Sequence, residues 1–564
     1  MSSLPPHPSS VRTTGEAIVD GLLAHGVDTV FGLPGVQTYP LFDALAGAGD
    51  RIRTIGARHE QACAYMAFGY AQSTGRTGVF SVVPGPGVLN AGAGMLTALG
   101  TSSPVVCLTS DVPSDYLGRG LGHLHEMPDQ LATVRSFTKW AARIDHPSQT
   151  PELVADAFYQ ARSGRRGPTV LAAPWDVLAE RSAVAAPRVR EIHTPPLDED
   201  SFARAVELLA DAKNPLIMVG GGARDAGPEV TALAERLQAP VVSFRSGRGI
   251  VPNDHPLGFT NAEGFEVWAD TDVLLSIGTR RELTWFRWPD QPEGLRTINL
   301  DIDPRQHVRL APTVALVADA REGTAHLLEL LGPGTDPDRE RLQRLARVRE
   351  RVAREIQELQ PHLDYLGAIR DVLPRDGFFV EELSQMGFAS FFGFPVYEPR
   401  HFITSGYQGT LGFGFPTALG VKAGNPDKPV VSVTGDGGFL FGAQELATAV
   451  QHGLGVVTIV FNNDSYGNVK ADQLRLYDRP FGSELRNPDF VALAESFGAH
   501  GHRARTPDEL RATLARALDA DAPAVIEVPM PLDPGASPWR FLAPASRRRQ
   551  ASTATSRGGQ GSRA

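Results

Sequence analysis

From Thr13 onward the chain alternates between stretches with apolar residues at helical spacing and short, unbroken apolar runs that end in glycine, proline or asparagine. TGEAIVDGLLAHGV has the spacing of an amphipathic helix, and DTVFGLPG that of a strand running into a Gly-Pro turn. RTIGARHEQACAYMAFGYAQSTG predicts a strand and then a helix closed by Gly75, with GVFSVVPGPG and PVVCLTSD as further buried strands. The alternation returns in NPLIMVGGGA, APVVSF, DVLLSIG and RTINLDID, and again in GFFVEELS, PVVSVTGDG, VVTIVFNND and AVIEVPM. Apolar strands alternating with helices predict an α/β fold of parallel, doubly wound sheets.

Two breaks divide the pattern into three. APRVREIHTPPLDEDS, residues 186–201, is polar and proline-rich and has the composition of a linker; LGPGTDPD marks a second boundary, followed by a charged helix over about 339–359. The expected organisation is three α/β domains over 11–185, 198–335 and 360–545, and a polar, basic tail, 546–564, of disordered composition.

Length agrees, because 564 residues exceed what one hydrophobic core sustains. A net charge of -10 argues against a general nucleic-acid binder. The chain has two cysteines, Cys63 and Cys107, and no CxxC, which excludes a disulfide framework and fits a reducing compartment. The opening MSSLPPHPSS lacks a signal pattern, and no apolar run approaches the roughly 20 residues a bilayer span needs. The expectation is a cytoplasmic protein with neither nucleic-acid nor membrane partner.

Candidate chemistry concentrates where two of the strands end. PVVSVTGDG ends on Gly435, Asp436 and Gly437, and VVTIVFNND ends on Asn462 and Asn463. In an open parallel sheet ligands bind beyond the carboxyl ends of the strands. If the two strands are neighbours, a carboxylate and an amide carbonyl converge there, and such hard oxygens suit Mg²⁺. The glycines leave room for a diphosphate, and a helix expected to begin near Gly442 would add its positive end.

The whole stretch VVSVTGDGGFLFGAQELATAVQHGLGVVTIVFNND resembles the diphosphate- and metal-binding motif of thiamine diphosphate enzymes, specifically the acetolactate synthase-like group of the large catalytic subunit type. The resemblance implies Mg²⁺ held by Asp436, Asn463 and the backbone carbonyl of Ser465, with Gly437, Gly438, Tyr466, Gly467 and Asn468 along the cofactor. GARHEQACAYMAFGYAQSTGR resembles the family's N-terminal cofactor helix, which sets Glu60 against the aminopyrimidine ring, where it promotes the imino tautomer. ITSGYQGTLGFGFPTALG resembles the second cofactor loop, with Leu411 wedged under the cofactor and Gly409 offering its carbonyl. SVVPGPGVLNAGAGMLTAL implies Asn90 as a helix cap beside the cofactor, and FVEELSQMG offers Ser384 to the diphosphate. In this family the site lies between the N-terminal domain of one subunit and the C-terminal domain of another, so a homodimer or homotetramer is implied. The central domain is Rossmann-like and binds FAD in some members. VGGGARDAG matches GxGxxG poorly, so FAD stays undecided, and Arg280 is open to a flavin contact, a substrate carboxylate or a surface role.

Substrate-side positions depart from the family. Trp175 replaces a lysine, Asp472 falls where a substrate-selecting tryptophan is expected, and Asn468 stands for a methionine. The loop GRGLGHLHEMPDQ carries His123, His125 and Glu126, residue types suited to proton transfer; the alternative is a loop histidine bonded to backbone. The expected activity is a thiamine diphosphate- and Mg²⁺-dependent carboligase or decarboxylase acting on a 2-keto acid or related dicarbonyl. A C–C lyase, a 1,2-dione hydrolase and a non-catalytic scaffold are the alternatives.

Overall fold

Each apolar run becomes one strand of a parallel sheet, and the helices between them return the chain across the sheet faces. The computed structural model describes residues 10–334, 338–531 and 537–545. The tail 546–564 lies outside the described residues, as do 335–337 within the second expected boundary. The described residues form three six-stranded sheets, one for each repetition of the α/β pattern. A two-stranded antiparallel pair, Ser10–Thr13 with Arg181–Val184, ties the two ends of the first unit together.

With strands numbered in chain order within each sheet, the first and third sheets share the order 2-1-3-4-6-5, and the central one runs 3-2-1-4-5-6. Both orders contain a switch point, where consecutive connections leave in opposite directions and open a crevice at the carboxyl edge. In the third sheet it lies between Phe378–Glu381 and Val430–Gly435, in the first between Thr29–Gly32 and Gly78–Val82, and in the central one between Pro215–Val219 and Val273–Ile277. Of the expected linker 186–201, residues 186–198 carry no helix or strand and 199–201 already belong to the helix Glu199–Ala210; the charged helix Arg339–Glu355 buries only Leu345 and Val352. No helix among the described residues is long and apolar enough to cross a membrane.

One contact fixes the outer units to each other. The helix Glu60–Thr74 is apolar on nearly every side and crosses Gly414–Gly424, which is buried along most of its length. A helix hydrophobic all round belongs in a core, and the same hydrophobic cluster runs from Phe31 and Phe80 of the first sheet to Val430 and Val460 of the third. The backbones meet almost directly: a Cβ on Gly69 would lie 2.1 Å from the Thr417 carbonyl oxygen, and one on Gly420 would lie 1.9 Å from that of Met66.

Candidate active site

The strands Val430–Gly435 and Val456–Asn462 are hydrogen-bonded neighbours, with Gly435 opposite Phe461. Their ends therefore deliver Asp436 and Asn463 to the same edge of the sheet. Asp436 is 2 % exposed, and its Oδ2 accepts from the Ser465 backbone N–H at 3.2 Å and from Asn487 Nδ2 at 2.7 Å. Burial raises its carboxyl above the usual range, while Asn487 and the Gly437 and Ser465 amides pull the other way. Asn463 Oδ1 accepts from Ser465 Oγ at 3.1 Å. Together these residues border a cavity of about 350 Å³ at the switch point. A helical segment begins after Gly442, as expected: the 3₁₀ turn Ala443–Glu445, with Gly442 as its N-cap, runs directly into the helix Leu446–His452. A four-residue helix, Asp436–Phe439, precedes it and starts on the aspartate itself. The backbone amides nearest the cavity are those of Asp436–Gly438, which border it, and not those after Gly442.

The other C-terminal candidates reach the same cavity. Ser384, Gly409, Leu411, Gly437, Gly438, Tyr466, Gly467 and Asn468 all line it. Gly409 sits at φ +59°, a turn that frees Leu411 to face inward. Ser384 caps the helix Gln385–Gly393 by accepting from the Gly387 amide at 3.0 Å. The Tyr466 ring lies over the aspartate turn, where a Cβ on Gly437 would come within 2.4 Å of it. Three contributors gave no signal in the sequence. Asn487 bridges Asp436, Asn462 and Asp464; Gln385 donates to Asn468 Oδ1 at 2.6 Å; Trp539 closes one wall against Phe388.

The N-terminal candidates gather at the switch point of the first sheet. Glu60 opens its helix directly after the strand Arg53–Gly56, and its Oε2 accepts from Asn90 Nδ2 at 3.1 Å. Asn90, expected as a cap, instead ends the short helix Pro86–Asn90 and spends its amide on Glu60. His125 has φ +62°, and its Nδ1 lies 3.0 Å from Gln37 Oε1, while Gln37 Nε2 donates to the Leu124 carbonyl. The His123 ring packs tilted against Tyr116, centroids 4.9 Å apart, and its Nδ1 lies 3.2 Å from the Leu124 carbonyl. The Glu126 carboxylate is engaged by its own loop: it accepts from the backbone amides of Gly120, Gly122 and His123 at 2.9, 2.7 and 3.0 Å. Those amides hold its pKa below the ordinary value despite the opposing effect of desolvation.

Within one chain the two groups stay apart. No residue before His362 lines the Asp436 cavity, so Glu60, Asn90 and the histidine loop do not reach it. Trp175 opens a short helix of the first unit, and Asp472 is on an exposed helix face paired with Arg475, so neither borders this cavity. Arg280 lines a different cavity of about 210 Å³, at the switch point of the central sheet beside Gly220 and Gly278, with its guanidinium 4.2 Å from the centre of the Tyr407 ring.

Comparison with known proteins bears on what this arrangement does. Family models match three segments: the thiamine pyrophosphate enzyme N-terminal TPP binding domain over residues 12–133, the central domain over 202–327 and the C-terminal TPP binding domain over 383–528. The chain is 37% identical to a probable 2-ketoarginine decarboxylase of Pseudomonas aeruginosa, over 93% of this chain and 95% of that protein. It is 32% identical to a probable acetolactate synthase large subunit of Methanocaldococcus jannaschii, covering 91% of each. It is 33% identical to an acetolactate synthase of Bacillus subtilis, over 93% of this chain and 94% of the other.

Proposed function

This chain belongs to the thiamine pyrophosphate enzyme family, and on that premise we propose that it is a thiamine diphosphate- and Mg²⁺-dependent carboligase or decarboxylase acting on a 2-keto acid, in the acetolactate synthase-like group. The observation that carries the reading is the convergence of Asp436 and Asn463, from adjacent strand ends, on one glycine-lined cavity. The residues fit the cofactor. Among the described residues no group of three or more His, Cys, Asp or Glu could hold a metal, so a metal here would depend on one carboxylate with amide and backbone oxygens, a donor set suited to Mg²⁺ with a diphosphate. Gly437 and Gly438 lie where any Cβ would collide with Tyr466 or a buried carboxylate, which leaves bare backbone facing the cavity.

In this reading Asp436, Asn463 and the Ser465 carbonyl hold the metal. Gly437, Gly438, Gly467, Asn468 and Ser384 receive the diphosphate, and Gly409, Leu411 and Tyr466 support the rings. When bound, thiamine diphosphate supplies a carbon nucleophile and electron sink for the keto carbon. Glu60, oriented by the Asn90 amide that donates to its Oε2, would exchange a proton with the aminopyrimidine ring. His125, with Nδ1 turned to Gln37, presents Nε2 for proton transfer on the substrate side, and Glu126 and His123 shape its loop. Because Glu60 and Asp436 lie apart in one chain, we read the complete site as shared between two chains of a homodimer or homotetramer. In support, the helix Gly467–Tyr477 buries no residue and leaves Val469, Leu474, Leu476 and Tyr477 exposed next to the motif. We place the enzyme in the cytoplasm, where its two free, buried cysteines need no oxidation, and take 11–185, 198–335 and 360–545 as its domains.

The test is isothermal calorimetry with thiamine diphosphate and Mg²⁺, followed by product identification with a 2-keto acid panel that includes pyruvate and 2-ketoarginine, with and without an aldehyde acceptor. Asp436→Ala is expected to abolish cofactor retention, and unchanged binding refutes the site. A wild-type protein that binds the cofactor but converts no keto acid refutes the activity. The central cavity gives FAD its own test, because dinucleotides bind at the switch point of a 3-2-1-4-5-6 sheet. Flavin absorbance in the purified protein supports that reading, and a protein that stays colourless after incubation with FAD and gel filtration refutes it.

A further inference from the structure

Directly behind the Asp436 cavity sits a carboxylate that the chemistry above does not use. Glu382 follows the strand Phe378–Glu381, is fully buried, and lies one residue before the first cavity-lining side chain of its segment, Leu383. Its backbone N–H donates to the Val433 carbonyl at 2.9 Å, which extends the ladder between the two switch-point strands. Its side chain then crosses to three other places. Oε1 accepts from the Gly412 amide, and Oε2 accepts from the Gly414 amide at 3.2 Å and Thr434 Oγ1 at 2.9 Å.

Those partners belong to the two segments that would grip the cofactor. Gly412 and Gly414 continue the loop that presents Gly409 and Leu411, at the point where the helix Gly414–Gly424 begins. Thr434 is two residues before Asp436 on its strand. The space is cut to the carboxylate from both sides. A Cβ on Gly414 would lie 2.7 Å from Oε2, and one on Gly438, in the aspartate turn, would lie 2.4 Å from Oε1. Two glycines on two separate loops thus make room for one side chain. The amides at a helix N-terminus lack intrahelical partners and favour negative charge, so a carboxylate delivered from a neighbouring strand satisfies both needs. Burial pushes this carboxyl up to about 7, and the two amides and the threonine hydroxyl draw it back down.

We propose that Glu382 is a positioning residue: it fastens the Gly409–Leu411 loop to the Asp436 turn, so that the ring-supporting and diphosphate-holding halves of the cleft are preassembled before thiamine diphosphate arrives. The proposal rests on the cofactor reading above, and its test separates the two. Glu381 supplies the comparison. It is equally buried and adjacent, but the groups that offset its burial are Thr404 and Arg245, not the 412–414 loop.

The experiment is calorimetric titration of thiamine diphosphate and Mg²⁺ into the full-length wild type and into Glu382→Gln and Glu381→Gln. It is paired with hydrogen–deuterium exchange of the apo proteins over residues 404–414. An amide side chain in place of Glu382 has one acceptor oxygen and turns an N–H toward the other set of donors, so the bonds to Gly412 on one side and to Gly414 and Thr434 on the other cannot all survive. Cofactor affinity is expected to fall roughly 10- to 100-fold. Exchange is expected to accelerate in 404–414 and stay unchanged in the distant sheets. Glu381→Gln is expected to keep its affinity within about twofold. If Glu382→Gln does not fold, Thr434→Val removes one of the three bonds at nearly constant volume and is expected to weaken binding several-fold. Equal affinity and equal exchange in a folded Glu382→Gln, or an unchanged affinity in Thr434→Val, overturns the proposal. A wild type that binds no cofactor overturns the reading on which it stands.

Discussion

At the scale of single residues, the acidic side chains divide by what meets them. Glu60 meets one amide, from Asn90, at the end of a sheet. Glu60→Gln is expected to bind thiamine diphosphate at near wild-type affinity and to slow exchange of the C2 hydrogen sharply, because a neutral amide cannot hold the proton. Deuterium exchange at C2 followed by NMR reads this directly, and exchange at the wild-type rate would show that the activating carboxylate is elsewhere. His125→Ala should leave that exchange intact and lower turnover roughly 10²–10⁴-fold, the usual span for losing general acid–base help. Glu381 makes a different prediction. Burial lifts it from 4.5 to about 7. A carboxyl raised on folding contributes its stability below the unfolded value and loses it as pH rises through the folded one. The apo protein should therefore lose on the order of a few kcal/mol from this group between about pH 4.5 and 7. Urea midpoints across that window should fall less steeply for Glu381→Gln, and parallel slopes would show that Glu381 is not held in the protonated form.

At the scale of elements, the crossing of Glu60–Thr74 with Gly414–Gly424 is the most exacting contact between the outer units. Backbone oxygens stand where Gly69 and Gly420 would carry a Cβ. Gly420→Ala is expected to cost about 3 kcal/mol or more, because the obstructing atom is main chain and cannot rotate away. Thermal melting that matches the wild type would mean that the helices can slide apart. The first helix could be read from the sequence, from its apolar run closed by Gly75, whereas the second falls in a stretch read only as a cofactor loop. Their meeting could not be read, because no local pattern says which helix faces which. The same limit governed the strands. Central strands announced themselves by unbroken apolar runs, whereas the edge strands Trp140–Arg143 and His500–Arg503, WAAR and HGHR, are half exposed and carry no such run. At the site, Asp436 and Asn463 were legible because strand ends and glycines gave them context. Asn487, Gln385 and Gln37 were not, since an amide in a polar loop looks alike whether it serves a ligand or its own backbone. The setting of Glu126 was hidden for a related reason: its three partners are backbone amides, which no side-chain pattern reveals.

At the scale of the whole molecule, one chain carries two groups of candidate site residues at different crevices. Glu60 and the His125 loop stand at the first sheet's switch point, Asp436 and its cavity at the third's, and no residue of the first unit lines that cavity. The chain fixes them rigidly. The turn before Glu60 is docked on the helix that follows the aspartate motif, where the Arg58 amide donates to Glu445 at 3.1 Å and the Gly56 amide to His452 Nε2 at 3.1 Å. Glu60 therefore cannot swing into its own chain's cavity without breaking this dock and the helix crossing beneath it. If the complete site is shared, two defective chains can repair each other. Glu60→Gln damages only the site to which a chain lends its first unit, and Asp436→Ala only the site to which it lends its third. In a mixed dimer one site collects both defects and the other collects neither. Random reassociation of equal amounts makes about half the dimers mixed, each with one intact site of two, so turnover should return to about a quarter of the wild-type value. Each variant alone should show almost none. The measurement is steady-state turnover after the two apo variants are dissociated and reassociated together, with light scattering to follow assembly. A mixture that assembles into dimers yet stays as inactive as its parents would place Glu60 and Asp436 in the same chain's site. It would also require a rearrangement of the helix pair that holds them apart.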